Sequence, residues 1–193
     1  MSLDVIILGP PGAGKGTQAE LIAAETGVPH VNTGDMYRAA VAAGTELGGQ
    51  VKPYMEKGEL VPDDLTIAVV RERLQQTDTA DGFVLEGFPR TLPQAEALEE
   101  ILAGMERELS VVLHFQLSEE VAEQRLLKRA LEQGREDDTP EIIHRRMETM
   151  RIPDELVEYY RAKGNLVGIH AEQTIEEVFA EVQEVLQQAA AAR

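Results

Sequence analysis

The chain has 193 residues, 35 acidic and 18 basic side chains, a formal net charge of −17 and no cysteine. This length fits a single domain with a substantial core. The acidic balance argues against binding nucleic acid or an anionic membrane over a broad surface, because such binding needs a broad basic face. Without cysteine, neither a disulfide framework nor a thiolate metal site can form.

The first predicted element is a strand at residues 5–8, an apolar run that leads directly into a glycine-rich loop. The loop reads GPPGAGKGT over residues 9–17 and matches the G-x-x-x-x-G-K part of the P-loop pattern. Its glycines let consecutive N–H groups point at phosphate oxygens, and Lys15 can reach the outer phosphates. Gly16 stands where the pattern asks for Ser or Thr, so a magnesium ion would be held by phosphates, water and a carboxylate.

Further strands are predicted at residues 30–32, 83–85, 111–116 and 166–169, with helical patterns between them and a last helix from residue 174 to about 189. Strands that alternate with helices indicate an α/β protein of the P-loop NTPase fold. We expect a central parallel five-stranded sheet with helices on both faces. Ligands of such sheets bind beyond the carboxyl ends of the strands, where the glycine-rich loop lies.

Two stretches are less apolar than the rest, residues 32–61 and the polar run 129–138. Both are candidates for moving parts, although the second would also suit an ordinary surface loop. Arginines follow strand ends or lie near these stretches, at positions 38, 90, 129, 135, 145 and 146. A guanidinium can grip two phosphate oxygens at once, and phosphoryl transfer relies on concentrated positive charge. The set therefore favours a phosphoryl-transfer enzyme.

Five segments in chain order carry a resemblance to a known family: GPPGAGKGTQ, TGDMYR, GELVPD, EGFPRTLPQ and RLLKRALEQGREDDTPEIIHRRMETM. The chain resembles adenylate kinase in its short-lid form, within the nucleoside monophosphate kinases. The resemblance implies reversible, Mg-dependent phosphoryl transfer from ATP to AMP giving two ADP, and a role in adenine nucleotide homeostasis. It implies one kinase domain, with its core at 1–31, 62–128 and 139–193, a mobile AMP-binding segment at 32–61 and a short lid at 129–138.

The resemblance also implies roles for individual residues. ATP would contact Gly12, Ala13, Gly14, Lys15, Gly16, Thr17, Arg129 and Gln173. AMP would contact Thr33, Arg38, Glu59, Leu60, Val61, Gly87, Phe88, Pro89, Arg90, Gln94, Arg135 and Arg146. The catalytic residues would be Lys15, Arg90, Arg129, Arg135 and Arg146. Gln94 would read the adenine edge, and no general base is needed because the AMP phosphate is already anionic.

The chain departs from the family pattern at three places. Glu86 replaces the usual aspartate before GFPR, Gln173 stands where a glycine is usual, and residues 147–153 are one residue shorter than usual. We expect Mg²⁺ to arrive with ATP and to have no direct protein ligand, with Glu86 reaching it through water. No structural zinc is expected, because the cysteine cluster that binds zinc in long-lid relatives is missing.

The four histidines at positions 30, 114, 144 and 170 fit no metal motif and are interpreted as core or surface residues.

No basic leader precedes the first strand and no apolar run reaches membrane-spanning length. We therefore expect a cytoplasmic protein with no membrane or nucleic-acid partner. We also expect a monomer, and the resemblance implies ATP, AMP and ADP as its ligands.

Two alternatives remain open at the level of the sequence. A UMP/CMP kinase would share the loop and most of the arginines, but Thr33 and Gln94 favour adenine. The second alternative is a nucleotide-binding regulatory module without catalytic activity, and Glu86 is the one feature that favours it. The intact set of arginines on both sides of the transferred group argues against such a module.

Overall fold

The structure is a computed structural model that describes residues 2–133 and 139–191. Its centre is a five-stranded sheet in the order β2-β3-β1-β4-β5, and every strand pairing in it is parallel. The strands are β1 Leu3–Leu8, β2 His30–Asn32, β3 Gly82–Glu86, β4 Val111–Gln116 and β5 Leu166–His170. The predicted parallel sheet is confirmed, because each predicted strand overlaps an observed one.

Helices connect the strands and cover both faces of the sheet. They are α1 Lys15–Thr26, α2 Thr33–Ala42, α3 Glu46–Lys57, α4 Asp63–Leu74, α5 Leu92–Ala103, α6 Glu119–Gln133, α7 Pro140–Thr149, α8 Asp154–Lys163 and α9 Ile175–Ala191. Side chains alternate across β1, so Ile6 and Leu8 join one core with α5 and α8, while Val5 and Ile7 join another with α1 and α9. The last helix continues slightly beyond its expected end.

All five strands end at the same edge of the sheet, and the loops after β1, β2 and β3 begin there. β1 leads into the glycine-rich loop and α1. β2 runs directly into α2, which begins there because the Asn32 side chain accepts a hydrogen bond from the Asp35 N–H at 3.2 Å. β3 ends on Glu86, and α5 then begins after Thr91, whose hydroxyl caps its first turn.

The glycine-rich loop packs closely against α6. Gly12 has φ +81°, and a Cβ there would lie 2.4 Å from the carbonyl oxygen of Ala122. Any larger residue would therefore push the loop away from the helix. The close approach fixes the loop relative to the helix that carries Arg129.

The stretch 32–61 is organised around a small core of its own. Tyr37, Val51 and Val61 are buried together, separately from the two cores beside the sheet.

In the polar run 129–138, residues 129–133 form the end of α6, and residues 134–138 lie outside the described residues. Within residues 2–133 and 139–191, no helix combines the length and the apolar composition needed to cross a membrane.

A buried ion pair lies at the opposite edge of the sheet from these loops. Asp4 in β1 is fully buried, and its carboxylate pairs with Arg107, whose Nε donates at 3.1 Å. Arg107 also donates to the Thr79 carbonyl at 2.8 Å, and its guanidinium lies 5.3 Å from the centre of the Phe83 ring. The pair joins the start of β1 to the segments before β3 and β4.

Arg107→Ala should lower the free energy of unfolding by about 3–5 kcal/mol, because it leaves the Asp4 carboxylate buried without its cation. Lys52 and Glu56 form an exposed pair at 3.7 Å, so Lys52→Ala should cost less than about 1 kcal/mol. Urea unfolding followed by circular dichroism measures both. Equal small losses in the two variants would contradict a stabilising role for the buried pair.

Candidate active site

A cleft of about 700 Å³ lies at the carboxyl edge of the sheet and gathers most of the expected nucleotide-binding residues. They are residues 12–17, Thr33, Arg38, Glu59, Leu60, Val61, Gly87, Arg90, Gln94, Arg129, Arg146 and Gln173. Phe88 and Pro89 are buried and are not among the lining residues, and Phe88 packs in the core. Arg135 lies outside the described residues.

Lys15, the first residue of α1, is the buried cation at the centre of this cleft. Its side chain is 6% exposed, and Nζ donates to the Pro10 carbonyl at 2.7 Å. Burial, together with the positive charges of Arg90 and Arg129, lowers the pKa of Lys15 to about 7, although Glu86 opposes the shift. The neutral Lys15 amine would therefore gain a proton when an anion enters the cleft.

Backbone carbonyls fix the guanidinium of Arg90. Its Nε donates to the Gly87 carbonyl at 3.2 Å, and its Nη1 lies 3.5 Å from the Gly9 carbonyl and 3.3 Å from that of Met150. Burial lowers the pKa of Arg90, and Glu86 opposes this effect. Carbonyl dipoles orient the group but leave its net positive charge in place, which suits binding of a phosphate.

Glu86, the last residue of β3, lies beside these cations. Its Oε2 accepts a hydrogen bond from Asn32 Nδ2 at 2.8 Å and lies 3.0 Å from His30 Nε2. Burial favours the protonated acid, but the His30 hydrogen bond and the charges of Lys15 and Arg90 together hold the pKa of Glu86 below its usual value. His30, interpreted from the sequence as a packing residue, thus contacts a charged group of the cleft.

Gln94 is held in one orientation on the other side of the cleft. Its side chain is 1% exposed, its Oε1 accepts from the Arg90 N–H at 2.7 Å, and its Nε2 donates to Asp63 Oδ1 at 2.7 Å. A primary amide has two donors and two acceptor positions, so one of each remains. That pair matches the donor and acceptor on the adenine edge. Asp63, which closes the GELVPD segment, was missed as a site residue.

Thr33 and Gly87 form a close contact where β2 and β3 end. Gly87 has φ +85°, and a Cβ there would lie 2.4 Å from Thr33 Oγ1. Only glycine allows the Thr33 hydroxyl to sit against this turn. Nearby, Arg38 Nη2 pairs with Asp35 Oδ1 at 2.5 Å, so an incoming phosphate would compete with Asp35 for that guanidinium.

Helix α6 and the loop after β5 form the wall opposite the 32–61 stretch. Arg125 and Arg129 are one helical turn apart, both line the cleft, and Arg125 Nη1 donates to the Ala171 carbonyl at 2.8 Å. Arg125 was missed, although the spacing of four residues before Arg129 is a signal that could have found it. The Gln173 side chain donates to the His170 carbonyl at 3.0 Å and lies 3.3 Å from Glu181 Oε2, so it is held against its own loop.

Helix α7 links this wall to the end of the 32–61 stretch. Thr149 Oγ1 donates to the Gly58 carbonyl at 2.7 Å, and Arg145 Nη2 lies 3.5 Å from Glu59 Oε1. Arg146, from the same helix, is 8% exposed and lines the cleft. The cleft is thus enclosed on three sides by elements that are distant in the sequence.

The profile of the adenylate kinase family matches residues 7–165 of the sequence. This chain belongs to the adenylate kinase family. Adenylate kinases of Geobacillus, Cyanothece and Thermobifida fusca are 42%, 45% and 47% identical to it, over 95%, 95% and 90% of this chain and 98%, 95% and 93% of theirs. The resemblance, the P-loop NTPase fold and the expected enzyme class are confirmed.

Relatives of two lengths align with the chain. The alignment with the Geobacillus protein extends over 212 positions, more than the 193 residues of this chain, so that relative contains inserted residues. The alignment with the Cyanothece protein extends over 185 positions. The chain therefore resembles the shorter relatives in its length.

ATP binding at pH 8 should take up about one proton, because Lys15 is mostly neutral above its pKa of about 7 and phosphate charge restores the proton. At pH 6 the lysine is already charged, and its contribution should vanish. Calorimetry in buffers of different ionisation enthalpy measures the uptake. Lys15→Met is the control that removes this proton, so equal uptake by both proteins at pH 8 would contradict the assignment to Lys15.

Proposed function

We propose that this protein catalyses reversible transfer of the γ-phosphoryl group of ATP to AMP, giving two ADP. The observation that carries the proposal is that Lys15, Arg90, Arg129 and Arg146 line one cleft at the carboxyl edge of the sheet. The charges of Arg90 and Arg129 act on the buried Lys15. Cations that lie close together repel one another, and a bound polyanion would reduce that repulsion. In a chain with a net charge of −17, this local positive charge points to a specific phosphate site.

The topology supports a division of the cleft between two nucleotides. β2 and β3 lie on one side of β1 and deliver Thr33, Gly87 and Gln94, which we assign to AMP. β4 and β5 lie on the other side and deliver α6 and the loop at Gln173, which we assign to ATP. The phosphates of both would meet at the end of β1, above Lys15.

The reaction then needs positioning and positive charge more than acid–base chemistry. A phosphate oxygen of AMP is already anionic and attacks the γ-phosphorus of ATP, while ADP leaves. Lys15, Arg90, Arg129, Arg135 and Arg146 would stabilise the charge on the transferred group. Closure of the cleft would exclude water, which would otherwise accept the phosphoryl group.

Residues beside the loop fit a magnesium ion that arrives on ATP. Gly16 offers no hydroxyl, and a Cβ at Gly16 would lie 3.4 Å from Glu86 Oε2, so one carboxylate is close to the loop. Among the residues that the structure describes, no group of three or more His, Asp or Glu side chains could hold a metal ion. Glu86 would hold the ion through its waters, and the bound ion would neutralise phosphate charge.

The proposed domain organisation is a core, an AMP-binding segment at residues 32–61 and a short lid at 129–138. The separate core of Tyr37, Val51 and Val61 supports a segment that moves as a unit. A short lid would agree with the length of this chain, which is that of the shorter relatives. The lid would consist of the end of α6 and the residues that follow it.

AMP should be the preferred acceptor by at least about 100-fold in kcat/KM over CMP, because a buried amide rejects a base that leaves its donor and acceptor unpaired. A coupled assay of ADP formation from ATP with AMP, CMP, UMP or GMP tests this and the proposed function together. Gln94→Leu should reduce the preference. Equal kcat/KM for AMP and CMP would instead support a UMP/CMP kinase.

Arg129→Lys and Arg135→Lys should each lower kcat by about 10²- to 10³-fold, because lysine lacks the planar fork that grips two oxygens. Arg71→Lys, an exposed change on α4, is the matched control. Arg107 is unsuitable as a control because it holds the buried Asp4. Steady-state kinetics, with folding checked by circular dichroism, measure the effect. Near-normal kcat in both variants would exclude these arginines from the reaction.

A further inference from the structure

Two side chains from β2 hold the carboxylate of Glu86. β2 and β3 pair in parallel register, with Asn32 opposite Glu86 and His30 two residues before Asn32 on the same face. Both side chains therefore reach the same oxygen, Oε2, at 2.8 Å from Asn32 Nδ2 and 3.0 Å from His30 Nε2. The hydrogen bonds of the described residues engage Oε2, which leaves Oε1 for a ligand.

The orientation of Asn32 is itself fixed. Its Oδ1 accepts from the Asp35 N–H at 3.2 Å and caps α2, so Nδ2 must face Glu86. His30 and Glu86 are 16% and 13% exposed, so water competes little for this contact. Two directed hydrogen bonds in a largely shielded position therefore fix one carboxylate oxygen.

The held carboxylate lies against the phosphate-binding loop. A Cβ at Gly16 would be 3.4 Å from Oε2, at van der Waals contact with it. The charges of Lys15 and Arg90 act on the same carboxylate. Glu86 thus stands between two donors from β2 and the cations that face the nucleotide phosphates.

We propose that His30 and Asn32 are positioning residues that hold the Glu86 carboxylate at the rim of the phosphate site, where it hydrogen-bonds the waters of nucleotide-bound Mg²⁺. This inference rests on the proposed function. Glutamate has one more rotatable bond than the usual aspartate, so its carboxylate would sample several positions if nothing held it. The two donors remove that freedom and adapt the longer side chain to the site.

Three substitutions test whether His30 and Asn32 position the Glu86 carboxylate, and none of them changes Glu86 itself. His30→Leu removes one donor and keeps apolar bulk, whereas His30→Gln keeps a donor of similar reach. Asn32→Ser keeps a capping hydroxyl for α2 but is too short to reach Glu86. His144 is exposed and pairs with Glu123 outside the cleft, so His144→Leu is the matched control.

The main readout is the affinity of Mn²⁺ or Mg²⁺ for the complex with a non-hydrolysable ATP analogue, by electron paramagnetic resonance or calorimetry. His30→Leu and Asn32→Ser should each weaken metal binding by about tenfold, the low end of the range for partners that orient a metal-binding group. His30→Gln should restore most of it. Affinity for the analogue without a divalent ion should stay unchanged, as should metal affinity in His144→Leu.

Glu86→Ala removes the carboxylate that His30 and Asn32 would position, so it is the reference protein for the double variants. It should raise the magnesium concentration for half-maximal ADP formation, and adding His30→Leu or Asn32→Ser to it should cause no further loss of metal affinity. Unchanged metal affinity in His30→Leu and Asn32→Ser, or equal losses with and without Glu86, would overturn the inference. Thermal unfolding identifies any variant that fails to fold. The test then rests on the metal affinities of His30→Gln and Asn32→Ser.

Failure of the two proposals gives different results. A folded wild-type protein that makes no ADP from ATP and AMP would refute the proposed function. A wild-type protein that makes ADP, while its His30 and Asn32 variants keep full metal affinity, would refute only the positioning role.

Discussion

The buried ammonium of Lys15 is the constraint on which the rest of the cleft depends. A buried cation needs dipoles or opposite charge around it, and here the Pro10 carbonyl and the Glu86 carboxylate supply them. Arg90, held by carbonyls, adds positive charge beside it. Cations fixed in this way suit the proposed stabilisation of charge on a transferred phosphoryl group.

Strand order explains how this charge cluster could serve the two nucleotides of the proposed reaction. Because β1 is central, the loop that follows it has β3 and β2 on one side and β4 and β5 on the other. The connections after β2 and β3 carry Thr33 and Gln94, and those after β4 and β5 carry Arg129 and Gln173. Two ligands that approach from opposite sides would bring their phosphates together above Lys15. Ligands of a parallel sheet bind at the carboxyl ends of its strands, so one set of cations there could contact the phosphates of both nucleotides.

The strands and the loop could be predicted because each depends on a short, local pattern: an apolar run, or glycines before a lysine. The hydrogen bonds that fix Glu86 could not be predicted, because they depend on the register that places Asn32 opposite Glu86 on two strands distant in the sequence. The bond between Gln94 and Asp63 is likewise long-range. Residues 129–133 were interpreted as part of a polar run, yet α6 continues through them. An exposed helix tolerates polar residues, and Lys128 and Glu132 face each other one turn apart at 3.7 Å.

The short connection between α7 and α8 now has a physical account. Met150 ends α7 and gives its carbonyl to Arg90 at 3.3 Å, while Ile152, two residues later, is buried in the core. Pro153 then begins α8, so a longer connection would need to bulge away from Arg90 or from the core. The same helix α7 holds Gly58 through Thr149. Movement of the proposed AMP-binding segment would therefore displace α7 and shift the carbonyl that orients Arg90, and this would link that movement to the geometry of a cation beside Lys15.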